Sequence, residues 1–203
     1  MISMMIYIQA GGQSRRMKQD KAWLDVAGRP LIEHVLAAAR AATDDLNLVV
    51  RPAMARQDRY LQLARQWNAG LIPDLHEGRG PLGGIATALR HCSAGKAAMM
   101  LACDLPCLTP ELLNWLWWKH DSTSFLITIP LDGNGRRQPL TAIYEPACLP
   151  VIESMIEAGD LRLENLLDRV RTNDIPFAEL AHLPGAERFF FNLNSPEDLA
   201  RLS

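Results

Sequence analysis

The order of short apolar segments and longer helical segments constrains the fold of this 203-residue chain more than any other feature. In the first half, each apolar run of strand length is followed by a stretch with helical periodicity. Such βαβα alternation predicts a largely parallel sheet with helices on both faces. The predicted strands are Met4–Gln9, Leu46–Val50, Leu71–Pro73 and Lys96–Cys103, and the predicted helices are Leu31–Ala42, Met54–Gln66 and two that begin near Pro81 and after Thr109.

The second half of the chain is less regular. The turn sequence Asp132-Gly133-Asn134-Gly135 separates two apolar runs and predicts a hairpin-like excursion. We therefore expect one three-layer, Rossmann-like α/β domain over residues 1–203, with its ligand site at the carboxyl ends of the strands. The remaining predicted elements are strands at Phe125–Pro130, Gln138–Tyr144 and Phe189–Phe191, and helices at Pro146–Ala158, at Leu161–Val170 and from Pro196.

Composition argues against several classes of protein. A formal net charge of −2 argues against a nucleic-acid binder that works through bulk positive charge, so an anionic ligand needs a local group of cations. No apolar run approaches the roughly 20 residues of a membrane-spanning helix. The four cysteines follow no disulfide pattern, which favours a reduced, cytoplasmic protein. Cys103 and Cys107 have no second Cys or His pair at the spacing of a zinc site.

A glycine-rich loop directly after the first predicted strand is the most informative local motif. Gly11 and Gly12 let successive backbone N–H groups approach a phosphate closely. Arg15, Arg16 and Lys21 add three cations, a density that suits a multiply charged anion such as a triphosphate. The chain has neither G-x-x-x-x-G-K-[ST] nor G-x-G-x-x-G after this strand, which disfavours a P-loop NTPase and a dinucleotide-binding fold.

Two aspartates follow predicted strands. Asp104 ends an apolar run and precedes Leu105-Pro106, and a carboxylate in this position suits Mg²⁺, which binds phosphate oxygens together with one or two protein carboxylates. Asp74 follows the third strand in the same way. The nearby segment Pro81–Gly84 opens a helix, and two interpretations of it stay open: it binds a ligand group at the helix N-terminus, or its loop needs glycine for its turns.

Near the C-terminus, Ser195 and Pro196 have the pattern of a helix cap. Asn192 and Asn194 are not needed for that cap. We predict that one of these amides contacts a metal ion or the acceptor substrate.

Five segments resemble the molybdenum cofactor guanylyltransferase family and occur in the same order along the chain as in that family. The ordered set covers nearly the whole chain and is more specific than any one member. Ala10-Gly11-Gly12 is similar to the guanylyl branch of these nucleotidyltransferases and differs from the Ala-Ala-Gly of the cytidylyl relatives. The five segments are Ala10–Met17 with Asp20-Lys21, Gly80–Gly84, Cys103–Pro106, Gln138–Leu140 and Phe191–Leu199.

The resemblance implies an activity and a set of site residues. It implies a nucleotidyltransferase domain with a nucleotide-binding half, residues 1–110, and an acceptor-side half, residues 111–203. The implied reaction transfers GMP from GTP to the phosphate of molybdopterin, with or without bound molybdenum, and releases pyrophosphate. Mg²⁺ is the implied cofactor, held by Asp104. The implied nucleotide site is Gln9, Ala10, Gly11, Gly12, Lys21, Asp74 and Asp104, and the catalytic residues would be Arg15, Arg16, Lys21 and Asp104.

The partners follow from the same interpretation. They are GTP and molybdopterin, with neither nucleic acid nor a membrane. We expect a monomer that contacts molybdenum-cofactor enzymes transiently.

Three positions depart from the family pattern, and two alternative functions stay open. Gln9 stands where an aliphatic residue is usual, Lys18 where a glycine is common, and Arg51 where an asparagine near the nucleotide is frequent. One alternative is a cytidylyl- or sugar-1-phosphate nucleotidyltransferase of the same fold. The other is a non-catalytic nucleotide-binding regulator, against which the retention of both Lys21 and Asp104 argues, since a binding protein has no need of a catalytic metal.

Overall fold

The computed structural model describes residues 4–10, 20–92, 96–193 and 198 of the chain. Short 3₁₀ helices lie at Lys21–Trp23, Pro146–Cys148 and Ala186–Arg188. The strands are β1 (Met5–Gln9), β2 (Asp25–Val26), β3 (Arg29–Pro30), β4 (Asp45–Val50), β5 (Gly70–Pro73), β6 (Ala98–Ala102), β7 (Ile127–Pro130), β8 (Thr141–Tyr144) and β9 (Thr172–Ile175). The α-helices are α1 (Leu31–Ala42), α2 (Asp58–Gln66), α3 (Gly80–His91), α4 (Pro110–Asp121), α5 (Leu149–Glu157), α6 (Leu163–Arg169) and α7 (Phe177–Leu180).

Seven of the described strands form one sheet, in the order β5-β4-β1-β6-β8-β7-β9. Strands β5, β4, β1 and β6 are parallel neighbours. Strand β8 runs antiparallel to both β6 and β7, and β9 is again parallel to β7. The predicted α/β class with a mostly parallel sheet is therefore confirmed. Strands β2 and β3 form a separate antiparallel pair.

Helices cover both faces of this sheet, as the side chains of β1 show. Met5 and Tyr7 pack with α3, α5 and α6 on one face, while Ile6 and Ile8 pack with α1, α2 and α4 on the other. All four side chains are at most 4% exposed. A parallel sheet buried on both faces needs such continuous apolar strands. In the described ranges, no helix has the length and apolar character needed to cross a membrane.

The predicted hairpin between the two apolar runs of the second half is confirmed. Strands β7 and β8 pair Ile127 with Tyr144, and a bridge joins Leu131 to Arg137 beyond the end of β7. Asp132 Oδ1 accepts hydrogen bonds from the backbone N–H groups of Asn134 (2.8 Å) and Arg136 (2.9 Å). The turn residues therefore fix the chain reversal that inserts β8 between β6 and β7.

Several predicted elements were wrong in position or type. Phe189–Phe191 is not a strand: Phe189 is fully buried in a turn after the 3₁₀ helix Ala186–Arg188. An aromatic run signals burial, and burial alone does not specify strand pairing. The polar strand β9 was not predicted, and α2 begins at Asp58 because residues 52–56 form turns. Of the helix predicted from Pro196, only Asp198 is among the described residues, and it is helical.

Candidate active site

Four strands of the sheet end at its carboxyl edge, and a polar residue lies at or just after the end of each. Parallel strands that point the same way end together, and ligands of open α/β sheets bind at that edge. Gln9 is the last residue of β1, and Arg51, Asp74 and Asp104 follow the ends of β4, β5 and β6. Polar residues therefore follow or end all four strands at the carboxyl edge, where the ligand site was predicted.

Three residues that the sequence singled out meet at this edge. The ammonium nitrogen of Lys21 lies 2.8 Å from Asp104 Oδ2, although the two residues are 83 positions apart in sequence. The same nitrogen donates a hydrogen bond of 3.2 Å to Oδ1 of Asn192, which is 171 positions away. The Lys21 and Asp104 side chains are only 16% and 20% exposed, so solvent screens their attraction less than that of a surface pair.

The 3₁₀ helix Lys21–Trp23 holds Lys21 in place, and Asp20 fixes this helix. Asp20 Oδ1 accepts from the backbone N–H of Ala22 (3.3 Å), which caps the helix. Its Oδ2 accepts from the Tyr60 hydroxyl (2.7 Å) and from Arg59 Nη2 (3.1 Å), both on α2. Burial, followed by the adjacent Asp20 carboxylate, raises the pKa of Tyr60 above its ordinary value, so the phenol stays a donor. Arg59 and Tyr60 were not among the predicted site residues, since no local motif marks them.

A cleft of about 200 Å³ opens between these residues and the start of α3. It contains both members of the Lys21–Asp104 pair and the side chain of Gln9. It is lined by Gln9, Asp20, Lys21, Ala22, Gly80, Pro81, Ala102, Cys103, Asp104 and Leu140.

Glycines let the start of α3 lie close to β1 and to the loop that precedes α3. A Cβ atom at Gly84 would lie 2.4 Å from Cδ of Gln9, and one at Gly83 would lie 2.8 Å from the carbonyl oxygen of His76. Gln9 Nε2 donates a hydrogen bond of 3.2 Å to the Gly80 carbonyl. Close packing therefore explains Gly83 and Gly84, whereas Gly80 has a positive φ of 61°. Gly80 and Pro81 also line the cleft.

Asp74 organises the loop between β5 and α3. Its Oδ1 accepts from the His76 backbone N–H (2.8 Å) and from Oγ1 of Thr87 (2.9 Å). Asp74 lies at the same edge as Asp104 but is not part of the cleft lining. The structure thus shows a local role for Asp74 and leaves its predicted contact with a nucleotide untested.

The other predicted site residues divide into two groups. Ala10 is buried, and its N–H donates to the Val49 carbonyl at 2.9 Å, which continues the pairing of β1 with β4. Gly11, Gly12, Arg15, Arg16 and Asn194 lie outside the described residues. Their predicted roles stay predictions.

The oxygen donors at Asp104 suit a Mg²⁺ ion that is shared with a nucleotide. Among the described residues, no three His, Cys, Asp or Glu side chains form a metal-binding group. Mg²⁺ commonly binds one or two protein carboxylates and completes its coordination with phosphate oxygens and water. The Asp104 carboxylate and the amide oxygen of Asn192, which both accept from the Lys21 ammonium, fit that pattern.

Comparison with known proteins identifies the family. Residues 6–174 match the model of the MobA-like NTP transferase domain. The chain is 32% identical to a protein of Flavobacterium johnsoniae described as a probable molybdenum cofactor guanylyltransferase, over 97% of this chain and 95% of the relative. It is 30% identical to the molybdenum cofactor guanylyltransferase of Serratia proteamaculans, over 96% and 91% of the two chains. The protein therefore belongs to the MobA-like NTP transferase family of nucleotidyltransferases.

A solved structure agrees with this assignment. Molybdopterin-guanine dinucleotide biosynthesis protein A from Archaeoglobus fulgidus superposes with a TM-score of 0.83 at 29% identity, covering 98% of this chain and 96% of that one. The resemblance that the sequence motifs indicated is thus confirmed over nearly the full length.

Proposed function

We propose that this protein transfers GMP from GTP to the terminal phosphate of molybdopterin and releases pyrophosphate. The family and the full-length relatives named molybdenum cofactor guanylyltransferase support this proposal. The observation that carries it is the meeting of Lys21, Asp104 and Asn192 at the carboxyl edge of the sheet. A cation for phosphates and a carboxylate for a metal, side by side in one cleft, are what nucleotidyl transfer requires.

The reaction needs positioning and charge neutralisation more than covalent chemistry. An oxygen of the acceptor phosphate attacks the α-phosphorus of GTP, and the bond from that phosphorus to the β-phosphate oxygen breaks. The bonding pair leaves with pyrophosphate. The acceptor phosphate is already ionised near neutral pH, so no protein base has to remove a proton. Holding the attacking and leaving oxygens in line supplies much of the rate enhancement.

Lys21 and Asp104 have complementary tasks in this mechanism. Lys21 binds the β- and γ-phosphate oxygens and stabilises the negative charge that grows on the leaving pyrophosphate. As the phosphates take up the ammonium group, the Asp104 carboxylate is released from its ion pair. Asp104, with Asn192 beside it, would then hold Mg²⁺, which when bound neutralises phosphate charge and polarises the α-phosphorus. Arg15, Arg16 and the backbone N–H groups of Gly11 and Gly12 would contact the same phosphates.

Asp20 and α2 support this arrangement. The Asp20 carboxylate is tied to Tyr60 and Arg59 and caps the helix that carries Lys21. The ammonium group is therefore placed before substrate arrives, so less conformational freedom is lost on binding.

The decisive experiment is a transfer assay with the purified full-length chain, GTP, Mg²⁺ and molybdopterin. We expect pyrophosphate release that depends on the acceptor, together with a product whose mass equals molybdopterin plus GMP. Parallel reactions contain CTP in place of GTP, or a sugar 1-phosphate in place of molybdopterin. Faster transfer from CTP would establish the cytidylyl alternative. GTP binding without any transfer would instead favour the non-catalytic regulator.

A further inference from the structure

Leu140 forms part of the wall of the cleft that contains Lys21 and Asp104. Among the described residues that line this cleft, Leu140 alone comes from the second half of the chain. It lies just before β8, and its carbonyl accepts a hydrogen bond of 2.8 Å from the N–H of Ala102, the last residue of β6. Leu140 is therefore held beside the segment that leads to Asp104.

A buried tyrosine fixes the turn that carries Leu140. Residues 138–141 form a turn that is closed by a backbone hydrogen bond of 2.9 Å. The hydroxyl group of Tyr144, which is fully buried, donates a hydrogen bond of 2.7 Å to the Pro139 carbonyl inside this turn. Burial raises the pKa of the Tyr144 phenol above its ordinary value, so the hydroxyl group keeps its proton and remains a donor. Tyr144 thus holds the Pro139 carbonyl, and with it the start of the peptide that leads to Leu140.

The position of β8 in the sheet places Leu140 on the side of the cleft from which an acceptor would arrive. Strand β1, which precedes the glycine-rich loop, and strand β8 lie on opposite sides of β6. In the proposed transfer, that loop and Lys21 bind the leaving pyrophosphate. The attacking oxygen of a phosphoryl transfer approaches in line, from the side opposite the leaving group. The acceptor phosphate therefore reaches the α-phosphorus from the β8 side, past Leu140.

Water competes with the acceptor for this approach. In the competing reaction, a water oxygen bonds to the α-phosphorus, and the bond from that phosphorus to the β-phosphate oxygen breaks. The products are GMP and pyrophosphate, which leaves with the bonding pair, and a proton passes to solvent. An ordered water molecule needs polar partners, and an apolar side chain offers none. Apolar groups that exclude water from an active site thereby suppress such side reactions.

Building on the proposed transfer from GTP, we propose that Leu140 favours transfer to the acceptor over hydrolysis of GTP, and that Tyr144 is a positioning residue that holds Leu140 in place. Leu140 packs against the bound acceptor and denies water a hydrogen-bonded position in line with the leaving group. Tyr144 lies in the core cluster against which Leu140 packs, and it acts on substrate only through the turn.

The test measures how much of the cleaved GTP becomes the molybdopterin product and how much becomes free GMP. Chromatography with mass detection quantifies both products for the full-length chain with GTP, Mg²⁺ and a series of molybdopterin concentrations. The variants are Leu140→Ala, Leu140→Met, which keeps an apolar side chain of similar volume, and Tyr144→Phe. Tyr7→Phe is the matched control. Tyr7 is also fully buried, and its hydroxyl group bonds to His91 at the end of α3 that lies away from the cleft.

We expect Tyr144→Phe to raise the fraction of cleaved GTP that ends as GMP about fivefold, the size expected for one lost hydrogen bond. Leu140→Ala should raise this fraction at least as much. In both variants KM for molybdopterin rises while KM for GTP stays unchanged. Leu140→Met and Tyr7→Phe should behave like the wild type. The double variant of Leu140→Ala and Tyr144→Phe should hydrolyse no more GTP than Leu140→Ala alone, because both changes act through one side chain.

An unchanged product ratio in Leu140→Ala would overturn the proposal. So would a KM for GTP that rises as much as KM for molybdopterin, because Leu140 would then contact the nucleotide. An equal effect of Tyr7→Phe and Tyr144→Phe would show that Tyr144 acts through general stability and has no positioning role. Each of these results leaves guanylyl transfer by the wild type intact, whereas a wild type that forms no molybdopterin product contradicts the transfer itself.

Discussion

At the residue scale, the Lys21–Asp104 pair combines the proposed phosphate-binding cation with the proposed Mg²⁺ ligand. Each charge is held by the other in a cleft where both side chains are mostly shielded from water. We expect Asp104→Asn to lower kcat/KM by at least about 100-fold while the fold stays intact, because the amide keeps the shape and loses the charge that attracts Mg²⁺. Steady-state kinetics over a range of Mg²⁺ concentrations, with far-UV circular dichroism, provide the measurement. Asp121→Asn, an exposed position at the end of α4, is the control. Near-normal activity of Asp104→Asn at limiting Mg²⁺ would exclude Asp104 as the metal ligand.

Lys21 lies on the other side of this pair and should act through phosphate. Lys21→Ala should weaken binding of GTP much more than binding of guanosine, because the lost charge faces the triphosphate. The expected penalty on the transition state is about 2–4 kcal/mol, comparable to the loss of one preorganised donor. Titration with both ligands, combined with kcat/KM, measures it. Equal weakening of GTP and guanosine binding would place Lys21 away from the phosphates.

At the element scale, two glycines of α3 allow close contacts with different neighbours, Gly84 with β1 and Gly83 with the loop before α3. A Cβ at Gly84 meets the side-chain end of Gln9, whereas a Cβ at Gly83 meets the backbone carbonyl of His76. We expect Gly84→Ala to lower the free energy of unfolding by about 1–3 kcal/mol, on the scale of an overpacked contact. Adding Gln9→Ala should recover the lost stability, because it removes the side-chain atoms that a Cβ at Gly84 would meet. Urea unfolding of the single and double variants measures the coupling. The same rescue of Gly83→Ala by Gln9→Ala would show that the two glycines share one cause.

At the scale of the whole molecule, buried acids make the fold sensitive to alkaline pH. Burial raises the pKa of the Cys148 thiol from 9.0 to about 12. It also raises the pKa of the Tyr144 phenol above its ordinary value. Between pH 9 and about pH 12, the folded chain keeps the Cys148 proton that the unfolded chain releases. The contribution to stability is therefore complete below pH 9 and falls as the pH rises. The slope is about 1.4 kcal/mol per pH unit for each such group.

Urea unfolding at about pH 8 and about pH 10.5 tests this expectation. From Cys148 alone, the free energy of unfolding should fall by about 2 kcal/mol between the two conditions. Cys148→Ala removes the titrating thiol and should show a correspondingly smaller fall. An identical pH dependence in the variant and the wild type would assign the alkaline sensitivity to other groups.

The fold could be predicted best where local signals agree with one another. The apolar runs gave β1, β4, β5 and β6 to within about two residues at each end, and Thr109 caps α4 through a bond from the Leu112 N–H, as its position indicated. Strand β9 was missed because Thr172, Asn173 and Asp174 are polar. Their strand conformation comes from pairing with β7, not from their own preferences. Phe189 shows the reverse case, an apolar run that is buried without becoming a strand.

The same division applies to the candidate site. Asp104 was selected by its position after a strand and Lys21 by the cations that follow the glycine-rich loop, because strand ends and charge clusters are local properties of the chain. Asn192 was selected from a predicted strand that the structure does not contain, although its contact with Lys21 places it at the site. The sequence by itself determined the order of the elements, the predominance of parallel strands and the polar character of the carboxyl edge. Only the tertiary structure decided that the Lys21 ammonium lies 2.8 Å from Asp104, that α2 holds Asp20, and that Arg51 carries an unpaired buried nitrogen. These features depend on residues that are far apart in sequence and therefore on how the whole chain packs. The local preferences of individual residues do not specify them.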